Sequence, residues 1–198
     1  MDSTDTTGRI VTRRTVLGSV GTVCLGAVAG CLDGEEASVP DAIEIDDDQD
    51  CDNCTMRIGS HPGPAGQTHY EEPTEVFDED LDEDRPAQFC SSLCTYAFTF
   101  DNEGEAEPTV TYLTDYSAVD YEIEDGDDAP VPTRHLEADA FGNATELTLV
   151  GDSEVEGAMG GSLIPFSDAD EADDFQAEYG GELYDHDEVT QDLIMSLM

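Results

Sequence analysis

The sequence predicts an α+β protein made of two similar small halves, placed behind an export segment and an acidic tether. Three observations lead there. Residues 1–30 have the layout of a targeting segment, which is removed before fold reasoning starts. Residues 31–50 are dominated by acids, with Ser38 and Pro40, as in a solvated linker. From Cys51 to Met198 the patterns run strand-rich, helix, strand, and then strands, helix, strand again. The halves fall at about 51–116 and 130–198, although no internal repeat is visible in the residues themselves.

The export segment carries Thr12-Arg13-Arg14-Thr15-Val16-Leu17, a twin-arginine pattern before an apolar run. The run from Val16 to Ala29 contains Gly18, Gly21 and Gly26 and is short of the roughly 20 apolar residues of a spanning helix. Val28-Ala29-Gly30-Cys31 closes it in the manner of a lipobox, so Cys31 is the expected lipidation site and new N-terminus. A single acyl chain binds a membrane only marginally, and a two-chain lipid on Cys31 would hold the protein stably. The expected location is the extracytoplasmic face of the cell membrane.

In the first half, Ala42-Ile-Glu-Ile45 is a candidate short strand at the end of the tether. Gly59 to Gly66 is a loop by its Gly and Pro density. A strand lies within Gln67–Val76 and an acidic turn region within Phe77–Pro86. Phe89, Leu93, Tyr96, Ala97 and Phe100 follow a 3-4 spacing, which predicts a helix over Gln88–Phe100. Thr109–Thr114 is rich in β-formers and predicts a strand.

In the second half, Pro130–Thr133 leads to a strand or short helix around His135–Phe141, and Glu146–Val150 is a strand. Ala158–Gly161 is a tight turn before an apolar strand, Ser162–Phe166. Asp168–Tyr179 is a helix with Ala172, Phe175 and Tyr179 on its apolar stripe, capped by Ser167 or Asp168 and stopped by Gly180-Gly181. Glu182–Tyr184 is a strand, and Asp187–Met198 is a final helix.

The charge balance is extreme: 49 acids, six Arg and no Lys in 198 residues, with a net charge of −43. The acids are spread along the chain instead of forming one block, which favours adaptation to high salt over an acidic docking tail. Such a surface repels phosphates, so nucleic acid is excluded as a partner.

Four cysteines lie in the folded part. Cys51-Asp-Asn-Cys54 has the spacing of a metal knuckle, and Cys90-Ser-Ser-Leu-Cys94 puts two sulfurs on one helix face. A soft-metal site, a structural four-thiolate zinc site, two disulfides and a redox motif are all compatible with this spacing. Among the methionines, Met56 follows Cys54 closely and Met159 stands in a glycine turn. Both are candidate thioether donors, which favour Cu(I). Met195 and Met198 end the last helix as packing or fraying residues. His61, His69, His135 and His186 could each add an imidazole to a copper site, but they have no ligand spacing and read first as ordinary surface residues.

Several of these residues carry a resemblance in order: Cys51-x-x-Cys54-x-Met56, Phe89-Cys90-Ser91, Tyr112-Leu-Thr-Asp115, Met159-Gly-Gly161, Ile164-Pro-Phe166, Phe175 and Gly180-Gly181. Over about Cys51 to Val189 the chain resembles the NosL family, the accessory lipoproteins of nitrous oxide reductase. The resemblance implies two ββαβ halves and Cu(I) bound by Cys and Met, a non-enzymatic role. It implies copper delivery to nitrous oxide reductase together with a membrane transporter complex of the same system. The candidate ligands are then Cys51, Cys54, Met56, Cys90, Cys94 and Met159. The family usually has Cys-Gly-Met where this chain has Cys54-Thr55-Met56, and Cys94 is an additional thiol. The two cysteine pairs also resemble small heavy-metal trafficking domains of treble-clef type. The competing expectation is a structural lipoprotein whose four Cys hold zinc or form two disulfides.

Overall fold

The β-rich segments and the two capped helices assemble as the element order predicts. The structure, a computed structural model, describes residues 39–77 and 85–198. The twin-arginine segment and Cys31 lie outside the described residues, as does most of the acidic turn region after Phe77. Among the described residues no helix is long and apolar enough to cross a membrane.

The first half comprises β1 (Gly66–Tyr70), β2 (Ala87–Phe89), α1 (Ser92–Asp101) and β3 (Pro108–Thr114). A connecting segment follows with β4 (Ile123–Asp125), β5 (Pro130–Pro132) and β6 (Phe141–Asn143). The second half comprises β7 (Thr148–Gly151), β8 (Leu163–Phe166), α2 (Ala169–Tyr179) and β9 (Glu182–Asp185), and α3 (Gln191–Leu197) ends the chain. Each half is ββαβ, and in each the first strand takes the middle of an antiparallel sheet. The first sheet runs β2-β1-β3-β6 and the second β8-β7-β9. The two prolines of β5 sit in an isolated two-stranded hairpin with β4, where the missing amides cost little.

Local chemistry explains the helices. Ser91 caps α1 by accepting from the Cys94 amide, and Asp168 caps α2 by accepting from the amides of Asp170 and Glu171. Gly180, at φ 74°, ends α2 in a conformation open to glycine. Packing of α1 on its sheet is close enough that a Cβ on Gly66 would run into Thr95 Oγ1.

Three apolar clusters fill the fold. One lies under the first sheet around Tyr70, Phe89 and Phe98 and includes Cys51, Cys90 and Cys94. A second joins the halves, with Leu93, Tyr96 and Leu113 against Leu149, Leu163, Ile194 and Leu197. A third, around Phe166 and Phe175, takes in Tyr116. Each fully buried Leu, Ile or Phe contributes about 1.5–3 kcal/mol relative to exposure.

Three expectations are corrected. Gln88 and Phe89 belong to a strand, because Ala87–Phe89 pairs with β1 and the helix starts only beyond the Ser91 cap. The final helix is shorter than expected. Asp185 and Glu188 form a capping box over a 3-10 turn, Val189 is extended, and Thr190 caps α3. The tether does not run free to Asp50. Gln67, wholly buried, satisfies its amide on Ile43, giving a 2.8 Å bond to Ile43 O and accepting from Ile43 N at 3.0 Å. Ile45 is buried and its amide donates to Leu136 O, so residues 42–45 form no strand yet belong to the body.

Candidate metal centre

The four cysteines converge. Cys51 and Cys54 sit on a turn held to the edge of β2, and Cys90 and Cys94 flank the start of α1. The Asp52 amide donates to Gln88 O, and the Gln88 amide donates to Asp52 Oδ2. Arg85 grips the same carboxylate in bidentate fashion at 2.7 and 2.8 Å, with both side chains largely buried. Thr55, at φ 62°, turns the chain back so that its amide reaches Cys51 O, and the Cys51 amide then donates to Met56 O at 2.8 Å.

All four Sγ atoms lie within 4.8 Å of one another. Cys54 Sγ is 3.5 Å from Cys90 Sγ, and Cys90 Sγ is 3.8 Å from Cys94 Sγ. Four sulfurs at tetrahedral angles, each about 2.3 Å from one ion, stand about 3.8 Å apart, so the spacing fits a thiophilic metal. All four are free thiols, and the two-disulfide expectation is not what the structure shows: the sulfurs gather around one point instead of bonding in pairs. Cys51, Cys90 and Cys94 are buried and Cys54 is half-exposed.

The surroundings favour a thiolate. Hydrogen bonds from the Cys90 and Cys94 thiols, and then from the Cys54 and Cys90 amides, hold Cys51 far below the usual thiol range against the opposing effect of burial. Cys90 and Cys94 move the other way, chiefly because each hydrogen-bonds to Cys51. Of these three interacting thiols, Cys51 is the one most ready to ionise. The Asn53 side chain hydrogen-bonds Cys94, and the N-terminal end of α1 favours negative charge there.

Met56 and Met159 are half-buried and pack against the apolar cluster that contains Cys51, Cys90 and Cys94. The Met159 turn comes from the second half, and a serine pair fixes it. Ser92 Oγ, in the first turn of α1, accepts from the Leu163 amide at 3.1 Å and meets Ser162 Oγ at 3.3 Å. The six candidate ligands are therefore drawn from three places: the knuckle, the start of α1 and the turn before β8. No histidine joins the four-cysteine group among the described residues. His186 bonds Tyr96 and His135 bonds Thr133. The sequence reading missed Asp52, Asn53 and Arg85 as supports; their partners lie 33 or more residues away, and only the position of Asp52 and Asn53 inside C-x2-C hints at a role.

A model of the NosL family matches residues 42–194. The chain belongs to the NosL family. The crystal structure of the copper chaperone NosL from Shewanella denitrificans superposes with a TM-score of 0.57 at 29% identity, covering 76% of this chain and 96% of that one. No curated protein sequence matches at comparable stringency. The NosL fold is α+β, as the sequence predicts, and in this member it brings together a four-cysteine cluster able to hold a metal ion.

Proposed function

We propose that the chain is a membrane-anchored, extracytoplasmic Cu(I)-binding metallochaperone that assists copper-centre assembly of nitrous oxide reductase, working with that enzyme's membrane transporter complex. The observation that carries this reading is the group of four free, mutually close thiols, with two half-buried methionines packed against the apolar cluster that contains three of them. Thiolate and thioether donors select soft d10 ions. The mixed exposure suits cargo: Cys54, Met56 and Met159 stand at the rim, where an incoming ligand can replace them one at a time, while the buried cysteines keep hold of the ion. The twin-arginine and lipobox residues supply the anchor at Cys31. The protein binds and hands on its cargo and catalyses no reaction.

A second reading, a structural four-thiolate zinc site, is favoured by the near-tetrahedral sulfur spacing. One experiment separates the two. The full chain is prepared without oxygen, its free thiols are counted, and Cu(I) and Zn(II) uptake are measured for the parent, Cys54→Ser and Met159→Leu. The carrier reading expects tight Cu(I) that both substitutions weaken, and copper-poor nitrous oxide reductase in cells lacking the protein. Tight zinc indifferent to Met159→Leu, with no Cu(I) uptake, would overturn it.

A further inference from the structure

We propose that the centre is built for two Cu(I) ions side by side: an inner ion on Cys51, Cys90 and Cys94, and an outer, exchangeable ion on Cys54, Met56 and Met159. This rests on the Cu(I) reading above and deepens it.

The burial pattern sorts the six sulfurs into two sets of three. Cys51, Cys90 and Cys94 are at most 1% exposed, and Cys54, Met56 and Met159 are all half-exposed. Each set offers the three soft donors that suffice for Cu(I). A single ion on all four thiolates leaves both thioethers unused, although the knuckle and the glycine turn each hold one against the same cluster. A single ion at the rim leaves three buried thiols within 4.8 Å of one another with nothing to hold, and with the Cys54 and Cys90 amides directed at Cys51 sulfur. Hydrogen bonds of that kind support a ligating thiolate. Two ions use every sulfur.

The sets are also contiguous. Cys54 and Cys90, one from each, have sulfurs 3.5 Å apart, close enough for one thiolate to bridge both ions. Charge raises no objection, because two Cu(I) neutralise four thiolates to the same extent as one Zn(II). The supporting shells differ in the same sense. Cys90 and Cys94 of the inner set are fixed at the capped start of α1, with Asn53 on Cys94, whereas Cys54, Met56 and Met159 all sit on turns and Cys51 shares the knuckle with Cys54. The inner ion would stay while the outer one exchanges.

The test is an anaerobic titration of the full chain with Cu(I) against a chromophoric competitor, with Cu···Cu scattering read by X-ray absorption. Two tight ions per chain with a Cu···Cu signal are expected. Met56→Leu/Met159→Leu, which nearly conserves core volume, should bind one ion, lose the Cu···Cu signal and remain folded. One ion in the parent chain overturns the two-ion arrangement and leaves the carrier reading intact. Two ions in both proteins overturns the role given to the thioethers, and no uptake at all overturns both readings.

Discussion

Thr55 stands at φ 62°, in the left-handed region, between Cys54 and Met56. A β-branched residue there is unfavourable, and the cost for an L-residue is about 1–2 kcal/mol. Thr55→Gly removes that cost, while glycine's greater freedom in the unfolded chain takes back about 0.5–1 kcal/mol. The Thr55 side chain is exposed, and the amide bond to Cys51 O survives the change, so nothing else is lost. Taking the middle of both ranges, the net expectation is a gain of about 0.75 kcal/mol, or about 2–3 °C in Tm for a domain of this size. Thr55→Ala keeps a Cβ in the same conformation and should show no such gain. The assay is thermal unfolding of the metal-free, reduced chain in concentrated salt, with all three proteins scanned at one rate. A Thr55→Gly protein no more stable than its parent, or one indistinguishable from Thr55→Ala, would refute the strain argument.

Other perturbations follow from the same geometry. Asp52→Ala strips the bidentate partner from Arg85 and an acceptor from the Gln88 amide. It should cost about 3 kcal/mol in urea unfolding, since it breaks a largely buried ion pair and takes the acceptor from the Gln88 amide; a loss below about 1 kcal/mol would argue that the knuckle is held otherwise. Asp48→Ala removes an ion pair whose side chains are 55% and 83% exposed, and should stay within about 0.5 kcal/mol of the parent. Phe166→Ala empties a wholly buried site between Tyr116 and Phe175 and should cost about 3–5 kcal/mol. Burial holds His69 and His186 below their usual value of 6.5, so the unfolded chain takes up protons first as pH falls. Their stabilising effect is complete above that value and drains away below it. Unfolding free energies at neutral and mildly acidic pH should therefore diverge less in His186→Gln than in the parent, and equal pH dependence would count against the assignment.

Much of the fold was legible because its signals are local. The Asp168 cap, the stripe of Ala172, Phe175 and Tyr179, and Gly180 lie within one helix length, and the structure keeps α2 where they place it. The cysteine spacing pointed to two thiol pairs, and the four sulfurs do converge, although Cys90 lies ahead of the Ser91 cap and not on the helix face that the i, i+4 spacing suggested. What escaped was tertiary. Phe89 falls in phase with the α1 stripe, yet its side chain reaches the core from β2, a strand too short to show a period of its own. Ile43 and Ile45 sit among acids that suggest a solvated chain, and only the buried Gln67 side chain and Leu136 give them partners. Met195 and Met198, read as packing or fraying residues, are 69% and 57% exposed and so do not pack, and Met195 stays within α3. The turn that packs Met159 against the first cluster is tied to α1 through Ser92 and Ser162, 70 residues apart, a relation no window of sequence contains.

The grip of Asp52 on Gln88 reaches beyond the metal. Gln88 is the middle residue of β2, one of the two edge strands of the first sheet, and its outward amide and carbonyl are both taken by Asp52. An open strand margin invites pairing with another chain. The knuckle therefore also covers that edge of the sheet, and the cover and the sulfurs share one short loop. Damage to that loop, by oxidation of Cys51 or loss of Asp52, would displace the knuckle sulfurs and at the same stroke leave a bare hydrogen-bonding rim. Failure to carry metal and a tendency to self-associate should thus arrive together in the same variants.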